Sequence, residues 1–304
     1  MQPGHPNDFL RWGNREYIRV FSGTGWVKLW VSWRDLVTSG PLGRTRGLPY
    51  LDRQVAAANA DGLGVILGVY QAFPGSFDPL VVPADLTPEG DWAGFIGELC
   101  RRYTPATGTP SVDALEPINE PNLLFRPREL APPAAVAMIR TSAEVAARYR
   151  LPLLLMPAMA DSPNWREFSE GVLVGLASWS PPLPTEWSHH NYVDVRERRP
   201  ARETRVAELI RLLRGSGFEH RVWLTEGGYN VHPRQDDPRE LERQADLIEH
   251  SFGEMAKLPE VRLWTQHSIN DIAENDFRSG LRGNFIPSIG PGPQRPAYAT
   301  WARL

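Results

Sequence analysis

Cysteine is nearly absent: Cys100 stands alone in 304 residues, which excludes an intramolecular disulfide. Its neighbours Trp92, Phe95, Ile96, Leu99 and Tyr103 recur at helical spacing, so the thiol is expected on an apolar helix face, as packing. No apolar run reaches the roughly 18 residues that cross a bilayer. The start, Met1-Gln2-Pro3-Gly4-His5, has neither the basic nor the apolar region of a signal peptide. A cytoplasmic protein, or a secreted one in its mature form, is the expectation. An excess of one charge is also missing, with 33 Lys+Arg against 36 Asp+Glu and a net charge of −3. That balance supplies no electrostatic footprint for nucleic acid or an anionic membrane, and neither is expected as a partner. Internal repeats and low-complexity tracts are absent as well.

What is present is an ordinary core-forming composition, 41% hydrophobic and 23% charged, in a regular alternation. Buried-type strands begin near Trp26, Leu63, Val112, Leu151, Thr185, Arg221 and Glu260, roughly every 40 residues, with amphipathic helices between them. Val206, Leu209, Ile210 and Leu213 make one such helical face, and Leu241, Ala245, Ile248 and Phe252 another. Thr87-Pro88 and Asp237-Pro238-Arg239-Glu240 read as helix starts, while Gly62 and Gly215 read as left-handed stops. An eighth strand, first in order and faintly marked, is expected around Asp8 to Trp12, before a helix from about Asn14 to Ser22. The sum is an α/β fold, a single (β/α)8 barrel over residues 1–304, a length that suits a fold of about 250 residues. An open doubly wound sheet is the structural alternative, but no Gly-rich phosphate loop follows the first strand. The stretch from Ser268 to Pro296 is rich in Gly, Pro, Asn and Asp, and its length suggests a functional loop.

In such a barrel the active site forms at the C-terminal strand ends. Two ends deliver a glutamate: Pro117-Ile118-Asn119-Glu120-Pro121-Asn122 and Val222-Trp223-Leu224-Thr225-Glu226-Gly227-Gly228. Others bring Lys28 to Trp33, Ser188-His189-His190-Asn191-Tyr192 and Trp264-Thr265-Gln266-His267. Carboxylates, amides, imidazoles and aromatic rings together suit a sugar. Retaining hydrolysis of a glycosidic bond needs two carboxyl groups about 5 Å apart, one acid and one nucleophile. The acid must hold its proton near neutral pH and the nucleophile must stay ionised, which calls for donors and positive charge such as Tyr192 and Lys28.

The ordered set Trp26-Val27-Lys28-Leu29-Trp30-Val31-Ser32-Trp33, Asn119-Glu120-Pro121-Asn122, His190-Asn191-Tyr192 and Leu224-Thr225-Glu226-Gly227 resembles the clan-A retaining glycoside hydrolases. Its phrasing is most similar to the branch of β-xylosidases and α-L-iduronidases, with the cellulase branch next, and it runs from about Trp26 to Trp264. The resemblance implies Glu120 as acid/base, Glu226 as nucleophile and Asn119 on the sugar hydroxyl beside the anomeric carbon. It further implies Tyr192 as holder of Glu226, His190 as support for the acid/base or the sugar, and Trp264 as a platform under the ring. No metal or organic cofactor is implied; the partner is a glycoside, oligosaccharide or polysaccharide. Lys28 stands where the clan commonly has arginine, and it offers a point charge in place of a bidentate fork.

Other readings stand beside these. A carbohydrate-binding barrel without catalysis is one; a metal-dependent hydrolase using His189 and His190 is another, although adjacent strand residues point to opposite faces. Trp33 at a strand tip faces substrate more readily than Trp30, which suits the core. Tyr70, Phe73 and Phe77 could line a further subsite or pack within their loop. Asn270, Asp271, Glu274 and Asp276 read as a solvated loop, and His220 and His232 as surface residues.

Overall fold

The computed structural model describes residues 9–10, 14–21, 23–32, 48–70, 85–105, 110–125, 131–272, 276–286 and 288–304. Seven strands form one parallel sheet in sequence order: β1 (Trp26–Ser32), β2 (Gly64–Tyr70), β3 (Ala114–Glu116), β4 (Leu154–Leu155), β5 (Thr185–His190), β6 (Val222–Gly227) and β7 (Val261–Gln266). Among the described residues the α-helices are α1 (Asn14–Val20), α2 (Leu48–Ala60), α3 (Asp91–Tyr103), α4 (Pro121–Leu124), α5 (Ala131–Arg148), α6 (Trp165–Leu176), α7 (Tyr192–Arg196), α8 (Arg205–Gly215), α9 (Pro238–Met255) and α10 (Pro296–Trp301). The sheet curls until β1 and β7 approach each other, which gives an α/β barrel of the (β/α)8 type.

Side-chain alternation sets the layers. Leu29, Leu67, Leu115, Leu154 and Leu224 point outward and pack on helix residues such as Val55, Phe95, Ile139, Val172 and Leu209, all buried. Inward, Ile66, Ala114, Leu155 and Trp223 plug the barrel, with Trp26 packed edge-on against Trp223. Cys100 sits in the outer layer, and burial pushes its thiol up to about 12, a packing group with no reactive thiolate.

Strand starts differ from the sequence expectation by three residues at most, but four details do not follow it. Phe9 and Leu10 form a turn, and the Phe9 amide donates to the Gln54 side chain at 2.9 Å instead of to a strand; the rest of that expected strand lies outside the described residues. A cavity of about 390 Å³ lies beside β1 and β7, lined among the described residues by Val27, Leu29, Trp264 and Trp301 and reaching Lys28 and Glu226. Thr87 turns with Asp85, and α3 starts only after Gly90. The left-handed residue after α8 is Gly217, at φ 72°, two positions beyond Gly215. Gly62 is left-handed as expected, at φ 73°, and the Asp237 side chain caps α9 by accepting from the Arg239 amide.

The fourth detail concerns 268–296, which is largely ordered structure. Strands β8 (Asn270–Ile272) and β9 (Arg282–Phe285) pair in parallel. Asp271 is buried against Arg295 at 2.6 Å and accepts from the Gly280 amide, and Asn270 donates to Asn14 at 2.8 Å. Two residues read as solvated are therefore structural, because each finds a buried partner far away in sequence. Asp276 is exposed, and Glu274 lies outside the described residues.

Candidate active site

The chain leaves β3 through Pro117 and Ile118, and Asn119 bridges to Ala158 beyond β4. Glu120 then takes a left-handed conformation, φ 43° and ψ 48°, and Pro121 opens α4. A non-glycine residue pays about 1–2 kcal/mol for that geometry, so something must hold it. The Glu120 amide donates to the Ala158 carbonyl at 2.8 Å. Asn122 clamps the neighbouring loop, donating to the Ala160 carbonyl at 2.8 Å and accepting from the Ala160 amide at 2.9 Å. This bend swings the Glu120 carboxyl over the barrel, where its Oε1 lies 2.8 Å from His190 Nδ1. The Asn119 side chain is buried beside it, and its Oδ1 has no partner among the described residues.

On β5 the two histidines diverge. His189 points outward and meets Trp165 edge-on, ring centroids 5.6 Å apart; burial holds it neutral, down to about 3, helped by His190 and Arg205. His190 points inward and stands between two carboxylates, with Nε2 3.5 Å from Glu226 Oε1. Burial disfavours its charged form, yet Glu226 and Glu120 outweigh burial and lift it above the ordinary imidazole value.

Glu226 lies where the pairing of β6 shifts register against both neighbours, which turns its side chain inward. Around it stand Tyr192 Oη at 2.9 Å, Lys28 Nζ at 3.3 Å, His190 Nε2 at 3.5 Å and His267 Nε2 at 3.8 Å. Burial alone would raise its pKa; His190, Lys28, His267 and the Tyr192 hydroxyl reverse that and hold it down to about 2. Gly227 follows because nothing larger fits: a Cβ there would lie 2.1 Å from Trp264 Nε1 and 2.4 Å from Asn191 Oδ1.

Tyr192 is aimed by its short helix α7. Asp161 accepts from the Val193 amide at 2.7 Å and pairs with Arg205 at 2.5 Å, while Asp194 accepts from the Arg205 amide at 2.9 Å. Burial, with the nearby Asp161, lifts Asp194 to about 7.

The structure thus brings together Lys28, Asn119, Glu120, His190, Tyr192 and Glu226. One ligating atom each from Glu120, His190 and Glu226 lie within 4.8 Å of one another, the one such trio of metal-ligating side chains among the described residues. The Lys28 ammonium already stands beside it. Because His189 faces away, the adjacent histidines cannot bind one metal together.

Trp264 is placed otherwise than the platform expectation has it. Its ring packs on Phe252 and Trp301, centroids 6.0 and 5.3 Å away, and its Nε1 donates to Asn191 Oδ1 at 3.0 Å, because its β7 position points to the helix side. Among the described residues, His190, Tyr192 and His267 stand beside the carboxylates, and Phe277 packs edge to face on Tyr192 and His267. Trp33, the Tyr70 side chain, Phe73 and Phe77 lie outside the described residues. Glu116, a lone carboxylate inside an apolar strand, joins the site without having been singled out from sequence, and His267 joins it from the strand-end run Trp264-Thr265-Gln266-His267, where the sequence assigned it no role.

No protein-family model and no curated protein matches the sequence. Solved structures do match in fold. A glucosidase from Croceicoccus marinus superposes with a TM-score of 0.69 at 17% identity, over 95% of this chain and 62% of that one. The GH5_18 protein from Bifidobacterium longum subsp. infantis gives 0.66 at 18%, over 98% and 76%. A family 39 glycoside hydrolase from Bacteroides cellulosilyticus gives 0.58 at 16%, over 98% and 61%. The chain therefore spans about three fifths of the length of the first and third, and shares the barrel fold with all three.

Proposed function

We propose that the protein is a retaining glycoside hydrolase that works by double displacement. One observation carries this: the Glu120 and Glu226 carboxyl groups approach within 4.8 Å across His190, the spacing of about 5 Å that leaves room for a sugar carbon but not for an intervening water. Glu226, held ionised by Tyr192, Lys28, His190 and His267, attacks the anomeric carbon. Glu120 protonates the departing oxygen, and the glycosyl ester on Glu226 forms as that bond breaks. Glu120 then takes a proton from a water whose oxygen bonds to the anomeric carbon as the ester bond to Glu226 breaks, which frees the Glu226 carboxylate and releases the sugar with its original configuration. Asn119, whose buried Oδ1 has no partner among the described residues, receives the hydroxyl beside the anomeric carbon, an interaction that strengthens in the transition state.

The barrels similar in fold include a glucosidase and a family 39 glycoside hydrolase, and the sequence resembles β-xylosidases and α-L-iduronidases. The test is a panel of aryl β-glucoside, β-xyloside, β-galactoside, α-L-arabinoside and α-L-iduronide. Turnover on at least one member, lost in Glu226→Ala, is the expected outcome. Binding of sugars without turnover on any glycoside or polysaccharide would instead make this a carbohydrate-binding barrel.

A further inference from the structure

We propose that Glu116 is a positioning residue for this reaction, which pins the Lys28 ammonium between two carboxylates so that a lysine serves at the nucleophile. The role rests on Glu226 being that nucleophile.

Glu116 lies on β3 in the barrel interior and is fully buried. Its carboxylate is gripped from three other strands. Oε1 forms an ion pair with Lys28 Nζ of β1 at 2.5 Å, and Oε2 accepts from Ser188 Oγ of β5 at 2.7 Å and Thr225 Oγ1 of β6 at 2.6 Å. A buried carboxylate so placed is costly unless every bond is made. Apolar packing would serve the barrel better, and Ala114, one inward position earlier on the same strand, shows what that looks like.

Lys28 is equally constrained. Its Nζ lies 3.3 Å from Glu226 Oε1, 3.5 Å from Thr225 Oγ1 and 4.1 Å from the centre of the Trp30 ring. Across on β2, Gly68 leaves the corridor that its stem occupies, since a Cβ there would stand 2.9 Å from Lys28 Cε and 3.0 Å from Trp30. The chain otherwise prefers arginine: among 33 Lys+Arg, the lysines are Lys28 and Lys257. An arginine fork fixes its own direction, whereas an ammonium on a flexible stem does not. Glu116 supplies the missing direction. Because Lys28 sits closer to Glu116 than to Glu226, the ammonium neutralises the nucleophile's surroundings without closing on the oxygen that must attack.

With two lysines, protein labelled with 15N-lysine gives two ammonium signals, and Lys28→Met identifies the buried one. The expectation for Glu116→Gln is a displaced Lys28 signal with faster proton exchange. For the same variant kcat falls on the order of 100-fold, as for other buried groups aimed at reacting charge, with KM within about twofold. The double variant Glu116→Gln/Lys28→Met is no slower than Lys28→Met, because the two act as one unit. Should Glu116→Gln fail to fold, Thr225→Val removes one bond to Glu116 without changing any charge; it slows turnover, and Thr225→Ser restores it. Additive losses in the double variant, or an unmoved Lys28 signal with wild-type kcat, would overturn the role alone. A wild type that cleaves no glycoside would overturn the reading of the site, and with it this role.

Discussion

Two strand tips in this barrel each present a glutamate, and they are built differently. At the end of β3 the backbone carries the strain: Glu120 is left-handed, its side chain is 19% exposed, and His190 Nδ1 is its one hydrogen-bonded side-chain partner among the described residues. At the end of β6 the side-chain environment does the shaping. Glu226 stays in extended structure, is more deeply buried, and is ringed by a tyrosine, a lysine and two histidines. Identical side chains thereby receive different chemistry. The ringed carboxylate is held as an anion, whereas the other is partly exposed with His190 beside it, an arrangement that suits the nucleophile and the acid/base of the proposed reaction respectively. His190 couples them: positioned between both, it responds to the charge on either.

Removing one glutamate at a time while varying the leaving group separates the two tips. Loss of Glu226 should depress all substrates alike by several orders of magnitude. Glu120→Gln should cost about 10²–10⁴-fold for poor leaving groups, the range of general acid catalysis, and far less for dinitrophenolate, which departs without a proton. Equal losses across leaving groups in both variants would erase the distinction between the tips.

A smaller effect separates the frame from the tips. Asp194, behind Tyr192, is lifted to about 7 by burial and by Asp161. As pH rises from about 4, where an unfolded aspartate ionises, towards 7, the folded state keeps a proton that the unfolded state has lost. Stability therefore falls across that window and levels off above it. Glu226 works in the opposite sense and lower: its contribution is present above the ordinary carboxylate value and is lost as pH falls towards about 2. In thermal unfolding between pH 4 and 8, Asp194→Asn should flatten the decline seen in the wild type. An unchanged slope would show that Asp194 does not carry it.

Much of the barrel could be read from sequence because its signals are local. Apolar runs and their spacing give the starts of the seven sheet strands to within three residues, and helix faces such as Val206, Leu209, Ile210 and Leu213 bury as their periodicity predicts. Glu120 and Glu226 stand out because each ends an apolar run. Pairings made over long distances could not be read. Glu116 is legible only with Lys28 and Thr225, and Asp271 only with Arg295; without their partners a buried carboxylate and a solvated one are the same letter. Trp264 shows the same limit in another form. Its type suits a sugar platform, but the direction of its side chain depends on the β7 register, and that turns it to Phe252 and Trp301.

Whether Glu226 attacks the anomeric carbon is decided by supplying azide to Glu226→Ala with the best aryl glycoside of the panel. Turnover, abolished in the variant, should return with azide and yield a glycosyl azide whose anomeric configuration, read by proton NMR, is inverted relative to substrate. Failure of azide to restore turnover, or an azide product of retained configuration, would contradict attack by Glu226.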